Sequence, residues 1–350
     1  MNKSYPIIFT VLIALILSGC SGIKYITVET REPAQITLPY DVMRVAVVNN
    51  VVQQPDNIGH RLTEIGDAEA KRVEASADSV AIYYTEALAQ FIHEEDYFQR
   101  VDFYAEPARE DSDFFQEQLL APEKMNEIRR ETGAQAIISL DRLILETDKR
   151  EHFRQQGYTY SDMAGRINST IRVYLPTMEG KIPRVQYLDS LNWIGFDIQD
   201  GVAYAQEMLP SREEAMKLLA VRAAEKMAYV FAPHWERQDR WYYTSSNKFM
   251  REGEVFAQKA DWQNAIKSWE SYYNSLSERS KTNKAKAANN IALAYEMLDE
   301  MDKALIWATE ANNIFIESTG HNSLERRRSL LYKNEIERRN NSLNSINMQE

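Results

Sequence analysis

The chain holds a single thiol, Cys20, and it is the first residue whose surroundings point to chemistry. With no second cysteine to pair with it, no disulfide can form within the chain. Elsewhere the residue types that build active sites are scattered. The five histidines stand at 60, 93, 152, 234 and 321, and no Gly-x-Ser-x-Gly, phosphate-cradling glycine loop or His-Glu-x-x-His occurs. His93-Glu94-Glu95-Asp96 sets three carboxylates beside an imidazole. Consecutive side chains at a helix end diverge, whereas a metal needs donors converging at about 2 Å, so the stretch reads as a solvated helix end. His234-Trp235 follows Pro233 at a helix stop and reads as a packing histidine. Asp141 and Arg142 lie inside an apolar run. Charge there is costly unless paired or at an edge, so a salt bridge to a neighbouring strand is expected in place of catalysis. Trp235, Trp241, Tyr242 and Tyr243, mixed with Arg237 and Arg240, could stack a sugar or a peptide, but a core between two domains fits them better. No catalytic residue, metal site or cofactor is expected.

What precedes Cys20 gives it a role. Lys3 is a positive start, Ile7 to Leu17 is apolar apart from Thr10, and Leu17-Ser18-Gly19-Cys20 closes the segment. An apolar run of about eleven residues spans only ~16 Å as a helix, against a hydrocarbon core of ~30 Å. It is too short to span and has the length of a secretion-signal core. The closing four residues resemble the lipobox of bacterial lipoproteins. That resemblance implies that 1–19 is removed and that the Cys20 sulfur carries diacylglycerol. At roughly 0.8 kcal/mol per buried methylene, three acyl chains suffice to hold a protein at a membrane. Ser21-Gly22-Ile23-Lys24 carry no acidic export cluster, so the expected place is the outer membrane, facing the periplasm.

Composition bounds the rest. A chain with 44% hydrophobic and 11% aromatic residues has the apolar surface for a real core, and twelve glycines with ten prolines are too few for a loop-rich one. Fifty-two acidic against forty-one basic residues give a net charge of −11, which disfavours nucleic acid as a partner. Glu325-Arg326-Arg327-Arg328 is short and sits among helix formers, so it reads as a solvated helix face.

The elements follow from periodicity. Residues 20–40, interrupted by Pro33 and Pro39, read as a lipidated tether in which Lys24 to Thr30 form an edge strand at most. Met43 to Val52 is a β-branched run fit for burial on both faces. A helix capped by Asp78 or Ser76 presents Val80, Tyr84, Ala87, Leu88 and Phe91 on one face. Val101 to Tyr104 is a short strand. Pro122 and Gly133 bracket a helix that leads into a long apolar strand, Ala134 to Leu145. The order β-α-β-α-β signals an α/β sheet. Gly165 to Leu175 and Arg184 to Phe196 then alternate like adjacent antiparallel strands, and Ser211 with Glu214 forms a capping box for a helix to Phe231. Its stripe of Met216, Leu219, Ala223, Met227 and Val230 is fit to cover the sheet.

From about 247 the pattern is helical, with a weak repeat. Gly253, Phe256, Ala265 and Trp269 fall at offsets matched, 39 residues on, by Ala292, Tyr295, Ala304 and Ala308. This is similar to the tetratricopeptide repeat, in which small residues let two helices approach and aromatics fill the gap to the next hairpin. The expected class is therefore α+β: a sandwich-like α/β domain with a mixed sheet over 41–235, a junction at 236–246, helical repeats over 247–340 and a disordered tail at 341–350. A polar helix over about 323–340 serves as a cap.

The order of features, with Glu32-Pro-Ala-Gln-Ile-Thr-Leu-Pro39 leading into Arg44-Val-Ala-Val-Val-Asn-Asn50, resembles a family of Bacteroidota lipoproteins of unknown function. In topology the first strand, helix and Gly133-to-Ile138 strand also look like the periplasmic domain of the curli-secretion lipoprotein and of lipoprotein activators of cell-wall synthases. Asp78-Ser79-Val80 and Asp189-Ser190-Leu191 fit the loose O-glycosylation pattern of the same phylum, although Asp78 is equally a helix cap. The expected function is a scaffold or adaptor, bound to the membrane by its lipid and to another envelope protein by its helical repeats. A subunit of a self-assembling envelope complex is the alternative. A weaker alternative, a glycan or peptide hydrolase, would need a nucleophile or a carboxylate pair facing across a pocket.

Overall fold

The described chain opens on a strand, β1 (Ile23–Glu32), whose hydrogen-bonded partner is the last strand, β11 (His234–Tyr243). The computed structural model describes residues 22–109, 111–153, 159–176, 182–195, 198–199, 202–203 and 209–349, so the leader and Cys20 lie outside it. It divides into two compact units, Ala34–His234 and the described residues up to Pro33 together with Trp235–Met348.

Within Ala34–His234 the strands are β2 (Arg44–Asn49), β3 (His60–Thr63), β4 (Lys71–Arg72), β5 (Arg100–Tyr104), β6 (Ala136–Phe153), β7 (Thr159–Tyr174) and β8 (Arg184–Gly195). A short pair, β9 (Ile198–Gln199) and β10 (Val202–Ala203), follows. The helices are α1 (Val80–Glu94), α2 (Pro122–Thr132) and α3 (Arg212–Phe231). β2 lies parallel between β5 and β6. Val45 and Val47 pack in the core shared with α1 and α3, and Ala46 and Val48 in the core shared with α2. Burial on both faces is what an unbroken β-branched run encodes. β6 serves twice along one edge, pairing β2 with its first half and β3 with its second, both parallel. Its other edge pairs β7 antiparallel along the whole length, and β7 pairs β8 in the same sense. The sheet is mixed, as expected, with β3 and β4 added to the anticipated order.

Local signals account for the helices. Ser211 Oγ accepts the Glu214 N–H at 3.1 Å while the Glu214 carboxylate accepts the Ser211 N–H at 2.8 Å. α2 starts on Pro122, whose missing N–H costs nothing there, and stops at Gly133, whose φ of 68° suits a residue without a Cβ. α1 departs from expectation. Its N-cap is Ser79, in the left-handed region and with no side-chain cap bond, while Ser76 Oγ accepts the Asp78 N–H two residues on. Along β6 and β7, Leu145 and Ile167 face the core and Glu146 and Arg166 the opposite side. On that opposite side β8 exposes Leu188 and Ile194.

The second unit holds β1 and β11 with helices α4 (Lys248–Gln258), α5 (Trp262–Ser275), α6 (Lys281–Glu296), α7 (Met301–Ser318) and α8 (Leu324–Gln349). The 39-residue spacing read from side chains returns in the backbone. Ala260 and Asp299 both take φ 56°. The N–H after each closes a six-residue turn onto Phe256 O and Tyr295 O, at 2.9 and 3.0 Å. The residue itself closes the inner bond, onto Ala257 O and Glu296 O. Each is a helix stop of the Schellman kind made without glycine. Gly253 is where a glycine is required, since a Cβ there would lie 2.3 Å from Trp269 Nε1. That explains the unequal pair Trp269 and Ala308: the first hairpin sets no side chain against a large one, and the second sets alanines at both offsets.

Three boundaries are corrected. The segment expected as a tether contains β1, and the one expected as a junction is β11. Contacts Thr27–Asp239, Glu29–Arg237 and Thr30–Glu236 run in opposite senses, so the ribbon is antiparallel. Its partners are more than 200 residues apart in sequence, which no local pattern reveals. The residues expected as a disordered tail continue α8 to Gln349.

Candidate functional site

Asp141 is where the sequence placed a charge inside an apolar strand, and the register of β6 against β7 slips there, between Leu140 and Arg142. Only 1% of it is exposed. Arg172 of β7 donates to Oδ2 at 2.6 Å and Tyr174 OH at 3.1 Å, while Oδ1 accepts from Ser139 Oγ at 2.6 Å and Asn50 Nδ2 at 3.1 Å. The expected cross-strand salt bridge is present. Tyr174 OH also accepts the Leu120 N–H at 3.0 Å, and Glu117 binds Arg172 and Arg184. Burial works against ionisation of Glu117, but the hydrogen bonds from Arg184 and Arg172 overcome it and hold the carboxyl below the usual range. Burial, with Asp141 close by, pushes the Tyr174 phenol up. The network ties the loop before α2 to the sheet. A carboxylate with four donors has little left with which to bind substrate or take a proton.

A second buried carboxylate, Glu296 at the end of α6, was not anticipated. Arg240 Nε donates to its two oxygens at 3.0 and 3.2 Å, Arg339 at 3.1 Å and Tyr332 OH at 2.8 Å. A signal existed: one repeat earlier its place is taken by Ala257, a buried position, so a charge there requires partners. Those partners come from β11 and α8. Burial, then the Glu296 charge, raises the Tyr332 phenol well above its ordinary range.

The other singled-out residues separate into packing and surface. His234 stacks on Tyr229 with ring centroids 4.0 Å apart, a packing role as expected. Tyr242 and Tyr243 join the core of the helices, tilted against Trp269 and Phe315, while Trp241 meets Tyr332. Trp235 is 65% exposed and takes no part in that core. His93 and Glu94 end α1 in solvent, and no metal-competent group of side chains occurs among the described residues. Ala265, Ala292, Ala304 and Ala308 are buried between the helices, with Phe256 and Tyr295 packed against the same core.

Part of the hairpin surface is covered by the chain itself. Lys24 pairs with Glu254 of α4, Arg240 with Glu296 of α6, and Glu32 with Arg338 of α8, so the chain's own ribbon lies against these three helices. Asn290 of α6 seals the join, accepting the Tyr243 N–H at 2.7 Å and donating to Tyr243 O at 2.8 Å. Among the openings left on the described helical unit is a groove of about 620 Å³ on α5 and α7, lined by Tyr273, Leu305, Ile306 and Trp307 among others. Ile306 is 66% exposed, and Tyr273 meets Trp307 edge to face with centroids 5.0 Å apart. Tyr273 OH donates to Glu310 at 2.6 Å, and burial, helped by that carboxylate, raises the phenol.

The sheet unit keeps a second opening, about 530 Å³, on the side of β6 and β7 away from α3. Arg61 and Arg72, cross-strand partners on β3 and β4, line it with Arg166, Glu146 and Asp148. Glu146 and Asp148 are neighbours on one strand, paired with Arg166 and Arg150, and are not opposed across the opening. His60 borders it but turns Nδ1 to Thr147 Oγ1, at 2.9 Å, and Arg212 donates to that same oxygen. Burial, and then Arg212, lowers the His60 pKa.

Residues 42–243 match the family described as a domain of unknown function, DUF8603. The chain belongs to that family. Residues 251–338 match a second domain of unknown function, DUF6340. The DUF8603 region takes in the whole sheet unit from β2 onward and ends with β11, so the family's span includes the strand that seals the DUF6340 helices. No curated protein matches the chain. Among solved structures, it is similar to the hypothetical protein CT253 from Chlamydia trachomatis, at 11% identity over 53% of this chain and 92% of that one. The TM-score is 0.22, at which the likeness carries no argument about fold or function.

Proposed function

We propose that this DUF8603 protein is a lipid-anchored, non-catalytic binding protein of the bacterial envelope. Cys20 carries the lipid, the outer membrane holds it facing the periplasm, and a partner protein docks in the groove of α5 and α7. The groove is the observation that carries the reading: a large apolar side chain, Ile306, stands exposed beside a half-buried Trp307, an arrangement typical of a contact centre. The buried carboxylates support it from the other side, since Asp141 and Glu296 spend their lone pairs on the fold. A hydrolase working through an opposed carboxylate pair is disfavoured, since Glu146 and Asp148 do not form one.

Two measurements test this. Cys20→Ser is expected to move the protein from the membrane fraction to the soluble one, and unchanged sedimentation would refute the anchor. Photo-crosslinking from position 306 in cells is expected to trap a discrete partner. A competing Ile306→Glu copy should fail to dilute that product, whereas a competing wild-type copy should dilute it. Equal competition by both would remove the groove as the docking site.

A further inference from the structure

We infer that the first half of α8, with the start of β1, forms a membrane-contacting surface that lies against anionic phospholipid headgroups. This rests on the lipid-anchor reading of Cys20. Only one residue separates Cys20 from Gly22, so at no more than ~3.6 Å per residue the attachment point lies within about 7 Å of the described chain. Gly22 is fixed in place, its carbonyl accepting the Thr244 N–H at 3.0 Å. It shares a shallow opening with Tyr25, Lys286, Glu325 and Arg328, so the anchored end of the chain emerges beside two basic groups and one acidic one.

Two further observations give that end a lipid-facing character. Leu324, Arg328 and Leu331 stand at i, i+4 and i+7 on α8 and so share one face, with Arg327 flanking it. Leu324 is 50% exposed, Leu331 67% and Tyr25 66%. Apolar residues bordered by arginines on an exposed helix face are the mark of a helix that lies in a membrane interface. Among the described residues, none of Lys286, Arg326, Arg327 and Arg328 forms an ion pair with a carboxylate, although the chain as a whole carries a net charge of −11. Basic groups without a carboxylate partner on an acidic protein, beside a lipid, complement an anionic surface, although Arg326 and Arg327 also hydrogen-bond His321 and the Asn322 carbonyl. The run Glu325-Arg326-Arg327-Arg328, read from sequence as a solvated face, is thus solvated on the side where headgroups lie. It also follows that the helical unit, not the sheet unit, is the one the anchor enters first.

The test uses full-length mature protein carrying Cys20→Ser, which has no lipid of its own. Its sedimentation is compared with vesicles of phosphatidylcholine alone and with vesicles containing roughly one-third phosphatidylglycerol, at low salt. The expected result is binding to the anionic vesicles only, weakened about tenfold by Arg327→Glu with Arg328→Glu and several-fold by Leu324→Ser with Leu331→Ser. Thermal midpoints equal to the parent's ensure that the variants are folded. Equal binding by parent and variants, or equal binding to both kinds of vesicle, would overturn the surface. Intact mass of the native protein separates the two readings. A missing lipid on Cys20 sinks the anchor, and unaltered vesicle binding by folded variants sinks only the surface.

Discussion

Among the described residues, the most deeply buried carboxylate of each unit, Asp141 in the sheet unit and Glu296 in the helical one, is satisfied in a parallel way. Asp141 takes one arginine, one tyrosine and two neutral donors, and Glu296 takes two arginines and one tyrosine. In both, all partners but Ser139, which shares β6 with Asp141, come from elsewhere in the chain, so the cluster staples the fold. The difference lies in the charge around them. Asp141 leans mainly on neutral donors, with Arg172 held also by Glu117. Glu296 is the hub of an ionic network that continues to Asp299 and Glu335. The same pairing appears with amides. Gln54 joins Ile58 O and both polar backbone groups of Leu145 in the sheet unit, as Asn290 joins both of Tyr243 in the helical one. Where the chain lacks a strand to complete a ladder, a side-chain amide supplies the missing donor and acceptor.

Removing the two carboxylates is the sharpest test of the contrast. Glu296→Ala leaves Arg240 and Arg339 buried without their shared partner and is expected to cost about 3–5 kcal/mol in denaturant unfolding of the helical unit. Asp141→Ala should cost less, about 2–3 kcal/mol, because Arg172 keeps Glu117. Equal costs, or a larger one at Asp141, would break the distinction between an ionic hub and a hydrogen-bonded one.

The next effect concerns the unequal hairpins. Gly253→Ala drives a methyl into Trp269 and is expected to destabilise by about 1–3 kcal/mol. Adding Trp269→Ala copies the alanines at offsets 292 and 308 of the second hairpin. If shape complementarity governs the first hairpin, the glycine substitution costs nothing once Trp269 is gone, and a double-mutant cycle of melting curves reads the difference. Simple additivity would refute it.

The smallest expected effect is with pH and lies in the sheet unit. Burial, then Arg212, depresses the His60 pKa in the folded state. The neutral imidazole is therefore favoured by folding. Its stabilising contribution is complete above the unfolded pKa of about 6.5 and is lost as pH falls below it, where the unfolded chain binds the extra proton. His60→Gln should flatten the stability profile between about pH 7 and 5. A slope identical to the parent's would assign the acid sensitivity to other groups.

What was legible in the sequence was local. The unbroken run Val45 to Val48, Pro122 before a helix and Gly133 after it, and the Ser211–Glu214 box each act within a few residues. The 39-residue spacing gave the hairpins, because small residues must recur wherever two helices approach. Asp141 was flagged by its cost, and the need for a partner on the next strand followed. Tertiary structure decided the rest. Nothing near Glu296 names Arg240, 56 residues away, or Arg339, 43 away, as its partners. Nothing near β1 says that it crosses more than 200 residues to pair with β11 and occupy the face of α4, α6 and α8 that the repeat alone would leave free. Periodicity and capping are set by a residue's immediate neighbours. Long-range ion pairs and strand pairing depend on which surfaces the whole chain brings together, and so the sequence identified the parts of this protein while its fold determined which of their faces remain open.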